Sequence, residues 1–292
     1  MNTIFGKLLT GSEYIPGTDG DDAIWPLGGS DSIDGKKGVD TVFIAWASEN
    51  FKISSAGGVT YLDTISGASK SDKVSLRNVE FVQFSDKKIS LEVADTVWSQ
   101  PGSEVIDTGP GIDTVVYAGA RPDYAVKLGE SGVDVSHRSG LEGSDWLVNV
   151  ERLAFKDQSL ALDLQGHAGF VAKVIGAVFG ASAVRAHPDY VGIGLSMLEK
   201  HGYSQPQLMD LALQARLGTE VNNHSAVVDL LYTNLAGQMP SPQDRKIYVD
   251  LLDSRQMSVN ELALFAAEHA LNVQNIDLVG LASQGLPYLP GG

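Results

Sequence analysis

Cysteine is absent from all 292 residues. That excludes disulfide staples, thiolate-ligated zinc and thiol nucleophiles. Basic residues are scarce, with 21 Lys and Arg against 36 Asp and Glu for a formal charge of −15. The deficit is concentrated early. Through Asp163 there are 14 basic against 25 acidic residues, and after it 7 against 11. Such a balance argues against nucleic acid as a partner, which selects for a basic face, and against electrostatic docking to anionic lipid. It favours cations. No apolar run approaches the ~18 residues of a membrane span, and the opening MNTIFGKLLTGSEYIPG lacks the apolar core of a Sec signal. Nucleophile-elbow, dinucleotide, Walker and HExxH patterns are all missing. The six histidines show no close His-x-His pair, and His201 and His269 read as residues near helix ends. These absences predict a chain without catalytic residues.

What is present begins with three nine-residue blocks placed end to end: GTDGDDAIW from Gly17, PLGGSDSID from Pro26 and GKKGVDTVF from Gly35. Their fourth position is glycine (Gly20, Gly29, Gly38), their sixth aspartate (Asp22, Asp31, Asp40) and their eighth β-branched and apolar (Ile24, Ile33, Val42). Glycine admits the left-handed backbone of a tight turn. Aspartate offers a hard oxygen ligand suited to calcium, and the apolar residue closes a short strand facing inward. The following nine residues, IAWASENFK, have lost the glycine.

This pattern resembles the glycine- and aspartate-rich nonapeptide of RTX proteins, whose repeats wind into a calcium-binding parallel β-roll. The resemblance implies that loops stack two blocks apart, so the Asp22 and Asp40 loops hold an ion between them while Asp31 faces the other side. Asp22, Asp40, Asp31, Gly20 and Gly38 are therefore the expected metal-site residues. Between zero and two calcium ions are expected, with one as the central value. Here Pro26 and Leu27 replace the usual glycines, and Lys36 and Lys37 add positive charge.

A longer similarity organises the first half. GVDTVFIAWASENFKIS from Gly38 aligns with GIDTVVYAGARPDYAVK from Gly111 at an offset of 73, and a later stretch sets Val79-Glu80 on Val150-Glu151 and Phe84 on Phe155. Runs such as TVFIAWA, VTYLDTI, VEFVQF and ISLEV read as short strands between turns. Glu80 and Glu151 recur at equivalent places, where a carboxylate in a turn serves to bond the backbone. Trp25, Trp46, Trp98 and Trp146 all lie in this half. Trp25 and Trp46 are candidate ligand-stacking residues for a sugar, by virtue of a ring with an apolar face and a polar edge.

After Asp163 apolar residues recur at helical spacing. FVAKVIGAVFG, YVGIGLSMLEKHG, LMDLALQARLG, VVDLLYTNLAG, RKIYVDLLDSR and ELALFAAEHAL each predict a helix. Ser204-x-x-Gln207 and Ser258-x-x-Glu261 are capping boxes, Ser241-Pro242 marks a helix start, and glycines 180, 202, 218 and 237 mark stops. Pro188, Leu198, Ser204 and Leu208 recur as Pro242, Leu252, Ser258 and Leu262 at an offset of 54. The segment from Leu231 to Ala270 resembles the bacterial domain of unknown function numbered 4214, departing from it at Thr233, Gln238 and Val249. No catalytic role attaches to that family.

The expected fold is α+β in separate domains. Residues 1–94 would be a β repeat bearing the nonapeptides, 95–165 a second β repeat, and 166–292 a helical domain of two similar halves. The RTX resemblance implies a secreted bacterial protein, extracellular or at the cell surface, exported by type I secretion through its C-terminal tail. The leading expectation is a non-enzymatic, calcium-stabilised scaffold or adhesion module whose partners are surface glycans or surface proteins. A calcium-assisted carbohydrate-binding protein is the alternative, and an enzyme with an unfamiliar site the second.

Overall fold

The computed structural model describes residues 2–7, 11–56, 59–65, 73–91, 94–109, 111–129 and 131–290. Ser71, at the start of the later recurring stretch, Val93, at the end of ISLEV, and the last two glycines of the tail lie outside the described residues. The first half is built of strands and the second mainly of helices, a two-part α+β layout. The compact units are Met1–Lys156 and Asp157–Gly292. The division thus falls nine residues before the expected 165/166 boundary, and residues 1–94 share a unit with the β segment that follows.

The first unit opens with β1 (Asn2–Phe5), β2 (Tyr14–Pro16), β3 (Asp22–Trp25), β4 (Ser32–Asp34) and β5 (Thr41–Phe43). Each block is one short strand plus one turn, so consecutive strands fall in opposite sheets and each pairs in parallel with the strand two blocks on. Ile15 lies beside Ile33, and Ile24 beside Val42. After β5 the nonapeptide rhythm stops. A 3₁₀ turn (Ser48–Asn50) leads into an antiparallel hairpin of β6 (Phe51–Ala56) and β7 (Val59–Thr64). The stack then resumes with β8 (Lys73–Arg77) parallel to β4, and β9 (Phe81–Gln83) parallel to β5, with β10 (Lys88–Ser90) antiparallel to β9. The eighth-position residues join Ile15, Leu76 and Val82 in two buried columns, Ile15–Ile33–Leu76 and Ile24–Val42–Val82. Each such side chain contributes roughly 1.5–3 kcal/mol relative to exposure.

The same order recurs in β11 (Thr96–Trp98), β12 (Val105–Asp107), β13 (Thr114–Val116), β14 (Tyr124–Gly129), β15 (Gly132–His137), β16 (Ser144–Val148) and β17 (Arg152–Ala154). Strands β11, β13 and β17 are parallel neighbours, as are β12 and β16, while β14 and β15 form the hairpin. Asn78 and Asn149 make the same turn, both with positive φ, and donate to Asp34 (2.9 Å) and Asp107 (2.8 Å).

The second unit contains β18 (Ser159–Ala161), then α1 (His167–Phe179), α2 (Ala183–Ala186), α3 (Pro188–Glu199), α4 (Gln205–Leu217), α5 (His224–Ala236), α6 (Pro242–Asp253), α7 (Val259–Glu268), α8 (Ala270–Asn275) and α9 (Leu278–Gln284). It closes with β19 (Leu286–Tyr288), which pairs antiparallel with β18. Both capping boxes form, and Ser241 caps α6 with Pro242 in its first turn. The residues 54 apart occupy like environments: Leu198, Leu252, Leu208 and Leu262 are buried, whereas Leu211 and Phe265 are exposed. One helix ends earlier than its periodicity predicts. ELALFAAEHAL breaks at His269, whose extended backbone ends α7 and whose Nδ1 accepts the Leu271 N–H at 3.2 Å to start α8.

Candidate cation column and apolar cavity

Three turns of the first β segment bring their acids into one column. The Asp22 N–H donates to Asp40 Oδ1 (2.7 Å), and the Asp40 N–H to Glu80 Oε2 (2.5 Å). In the second segment the Asp95 N–H donates to Asp113 Oδ1 (2.7 Å) and the Asp113 N–H to Glu151 Oε2 (2.9 Å). Glu80 and Glu151 therefore occupy the next aspartate place in each stack. They bond backbone, the role their turn setting implies. Asp31 lies on the other edge, where its Oδ1 accepts the Glu13 N–H at 3.2 Å.

These acids are deeply buried, with Asp22, Asp40, Glu80 and Asp113 all at 0% exposure. Burial pushes the Asp40 carboxyl up to about 8 and that of Asp113 up to about 7, although each accepts a backbone N–H that acts the other way. Burial also raises Glu80 and Asp95, each of which influences the other's titration.

The column has the donor chemistry of a calcium site. Asp40 Oδ2 is buried with no hydrogen-bond partner. Asp22 is held by the Thr18 N–H (2.6 Å) and hydroxyl (3.0 Å), which leaves lone pairs on its carboxylate. Gly20 and Gly38 lie one on the other: a Cβ at Gly38 would sit 2.6 Å from the Gly20 carbonyl carbon. At Gly35 a Cβ would collide with the Asn78 carbonyl and the Asp40 carboxylate, so only glycine fits beneath the acid. Among the described residues no three His, Asp or Glu side chains converge as a metal-ligand group. An ion here would take two carboxylates and complete its shell of 6–8 oxygens from carbonyls and water. Lys36 and Lys37 line a recess of about 70 Å³ that also contains Asp95 and Asp107.

The Asp31 edge carries a different feature. Trp25 and Trp46 line one cavity of about 490 Å³, together with Leu27, Phe43, Phe51, Phe84 and Asp31. Trp46 is 64% exposed, and Trp98 and Trp146 also reach solvent. The cavity was not legible in the sequence, because it arises where a loop is missing rather than where a motif is present. The raised carboxyls of Asp40, Glu80, Asp95 and Asp113 do not line it. The histidines sit apart from both features. His224 Nδ1 bonds Asp253 Oδ1 at 2.6 Å, and His137 Nδ1 accepts the Ser139 N–H at 3.2 Å.

No described helix is long and apolar enough to cross a membrane. No protein-family model and no curated protein matches the chain. Among solved structures there is a similarity to the extracellular lipase LipA from Serratia marcescens, at 12% identity and a TM-score of 0.18, covering 51% of this chain and 38% of the lipase.

Proposed function

We propose that the chain is a non-enzymatic extracellular scaffold of RTX type, stabilised by calcium bound between the Asp22 and Asp40 loops of a short β-roll. The observation that carries this reading is the buried Asp22–Asp40 stack, two blocks apart, with Asp40 Oδ2 lacking a donor. When bound, the ion supplies the positive charge that the column lacks. The chain's own residues do the rest. Asp22 and Asp40 would hold the ion, the Gly20 and Gly38 turns bring the two loops together, and Gly35 leaves room for the Asp40 carboxylate. Calcium outside cells is plentiful enough to fill even a site of 10⁻⁴–10⁻³ M affinity, of the order found in extracellular modules. Binding confined to the folded state stabilises it by mass action. Export by type I secretion and adhesion through the helical unit belong to the same reading. The test is a thermal melt in EDTA against a calcium series. The reading expects Tm to rise with calcium, and a Tm independent of calcium contradicts it.

A further inference from the structure

The cavity on the Asp31 edge exists because IAWASENFK lacks the glycine–aspartate loop that would stack on residues 26–31. The chain turns instead through Ser48–Asn50 into the hairpin. Although Phe51 packs on Phe84 at 5.5 Å in the first β segment, the second differs at two of the lining positions. There Tyr117 and Tyr124 stand where the first segment has Ile44 and Phe51, and both pack on Phe155 at 5.5 and 5.2 Å. Their hydroxyls are anchored, Tyr117 to Asp145 (3.1 Å) and Tyr124 to Glu142 (2.5 Å). Ile44 and Phe51 have no hydroxyl, and the space beside them is open and apolar.

The walls define what could enter. Trp25 is the middle ring of a stack, with Phe5 at 5.2 Å and Phe43 at 4.3 Å from neighbouring strands of one sheet. Both its faces are occupied, so it offers an edge and no platform for a sugar ring. Three donors of the wall are already used. The Gln83 amide donates to the Phe84 carbonyl (2.7 Å), the Asn50 amide to the Ala47 carbonyl (3.0 Å) and the Ser85 N–H to the Trp46 carbonyl (3.1 Å). Among the described residues no Lys or Arg lines the space, and Asp31 is the carboxylate in its wall. An anion would lose its hydration there beside the Asp31 carboxylate, and the largely apolar wall replaces little of a sugar's. A second feature points the same way. Leu27 holds a left-handed backbone (φ 55°) and is 46% exposed on this rim, a strained place for a bulky side chain. The side chain at this strained place is apolar and lines the same space as the exposed Trp46.

From these features we infer that the cavity binds the alkyl chain of an uncharged amphiphile, leaving its headgroup at the rim formed by Leu27 and Trp46. The test uses the full chain, in calcium and again in EDTA, with tryptophan fluorescence and calorimetry as readouts. Octyl glucoside below its micelle concentration, 1-octanol and methyl glucoside are titrated in turn. Octyl glucoside and octanol are expected to bind saturably at one site, while methyl glucoside does not. Ile44→Tyr, which imports the tyrosine of the second segment, and Leu27→Gly, which relieves the strained backbone, are each expected to weaken octyl binding at least tenfold. Leu27→Gly should do so without lowering Tm, and it decides the matter if Ile44→Tyr fails to fold. Binding of methyl glucoside as tightly as octyl glucoside would overturn the inference in favour of a sugar site. Octyl binding only at micellar concentration, or undiminished in a folded variant, would overturn it outright. Loss of the calcium effect on Tm with octyl binding intact would contradict the scaffold reading and leave this one standing.

Discussion

At the scale of single residues, the chain uses buried acids where most folds would use apolar side chains or paired charges. Asp113 illustrates the consequence. Its ordinary value of 3.8 is raised to about 7 by burial, so the fold favours the protonated form. Its contribution to stability is complete below about pH 4 and is lost as pH rises through about 7. Melts in EDTA should therefore show Asp113→Asn gaining on the natural chain between pH 4 and pH 8. A difference constant across that range contradicts the assignment. Gly35 gives a steric counterpart. Because its would-be Cβ meets the Asn78 carbonyl, a backbone atom that cannot swing aside, Gly35→Ala is expected to cost about 3 kcal/mol in denaturant unfolding, at the upper end of overpacking effects. The aspartates and glycines of the nonapeptides were legible because chemistry and spacing coincide in them. The raised state of Asp113 was not, since burial depends on what stacks above and below.

At the scale of elements, helix starts were the most legible feature. Ser204, Ser241 and Ser258 each accept an N–H from the residue three positions on. Those signals are local and survive any tertiary context. Ser258→Ala should cost about 1 kcal/mol by removing one side of a capping box, measurable by urea unfolding. An unchanged midpoint would show that α7 is held by packing alone. Short elements escaped notice for a physical reason. Helices α2, α8 and α9 are too brief to show helical periodicity, and α8 is separated from α7 only by the extended backbone of His269. The β6–β7 hairpin likewise interrupts a parallel stack; the lost glycine of IAWASENFK marks where the chain leaves it, but nothing in nine-residue spacing announces where it returns.

At the scale of the molecule, the change from strands to helices was plain in composition, but one pairing across it was not. Residues 159–161 look like the end of the β region, yet they form β18, which pairs with β19 from the far end of the chain. A contact between residues so distant in sequence leaves no local trace. The division at Lys156/Asp157 makes residues 157–292 a unit with its own apolar core. Expressed alone, that segment is expected to show helical circular dichroism and a cooperative melt; a non-cooperative transition would contradict its independence. The parallel register of 18 residues, by contrast, is the spacing that the nonapeptide resemblance implied for loops two blocks apart, and Ala23 pairs with Thr41 at that spacing.

The central claim is that the Asp22 and Asp40 loops hold calcium, and calorimetric titration of the full chain against its Asp22→Ala/Asp40→Ala variant tests it most directly. The account expects one ion bound by the natural chain at neutral pH, with protons released as Asp40 ionises, and no binding at that site in the variant. Equal calcium binding by both chains, or none by either, contradicts it.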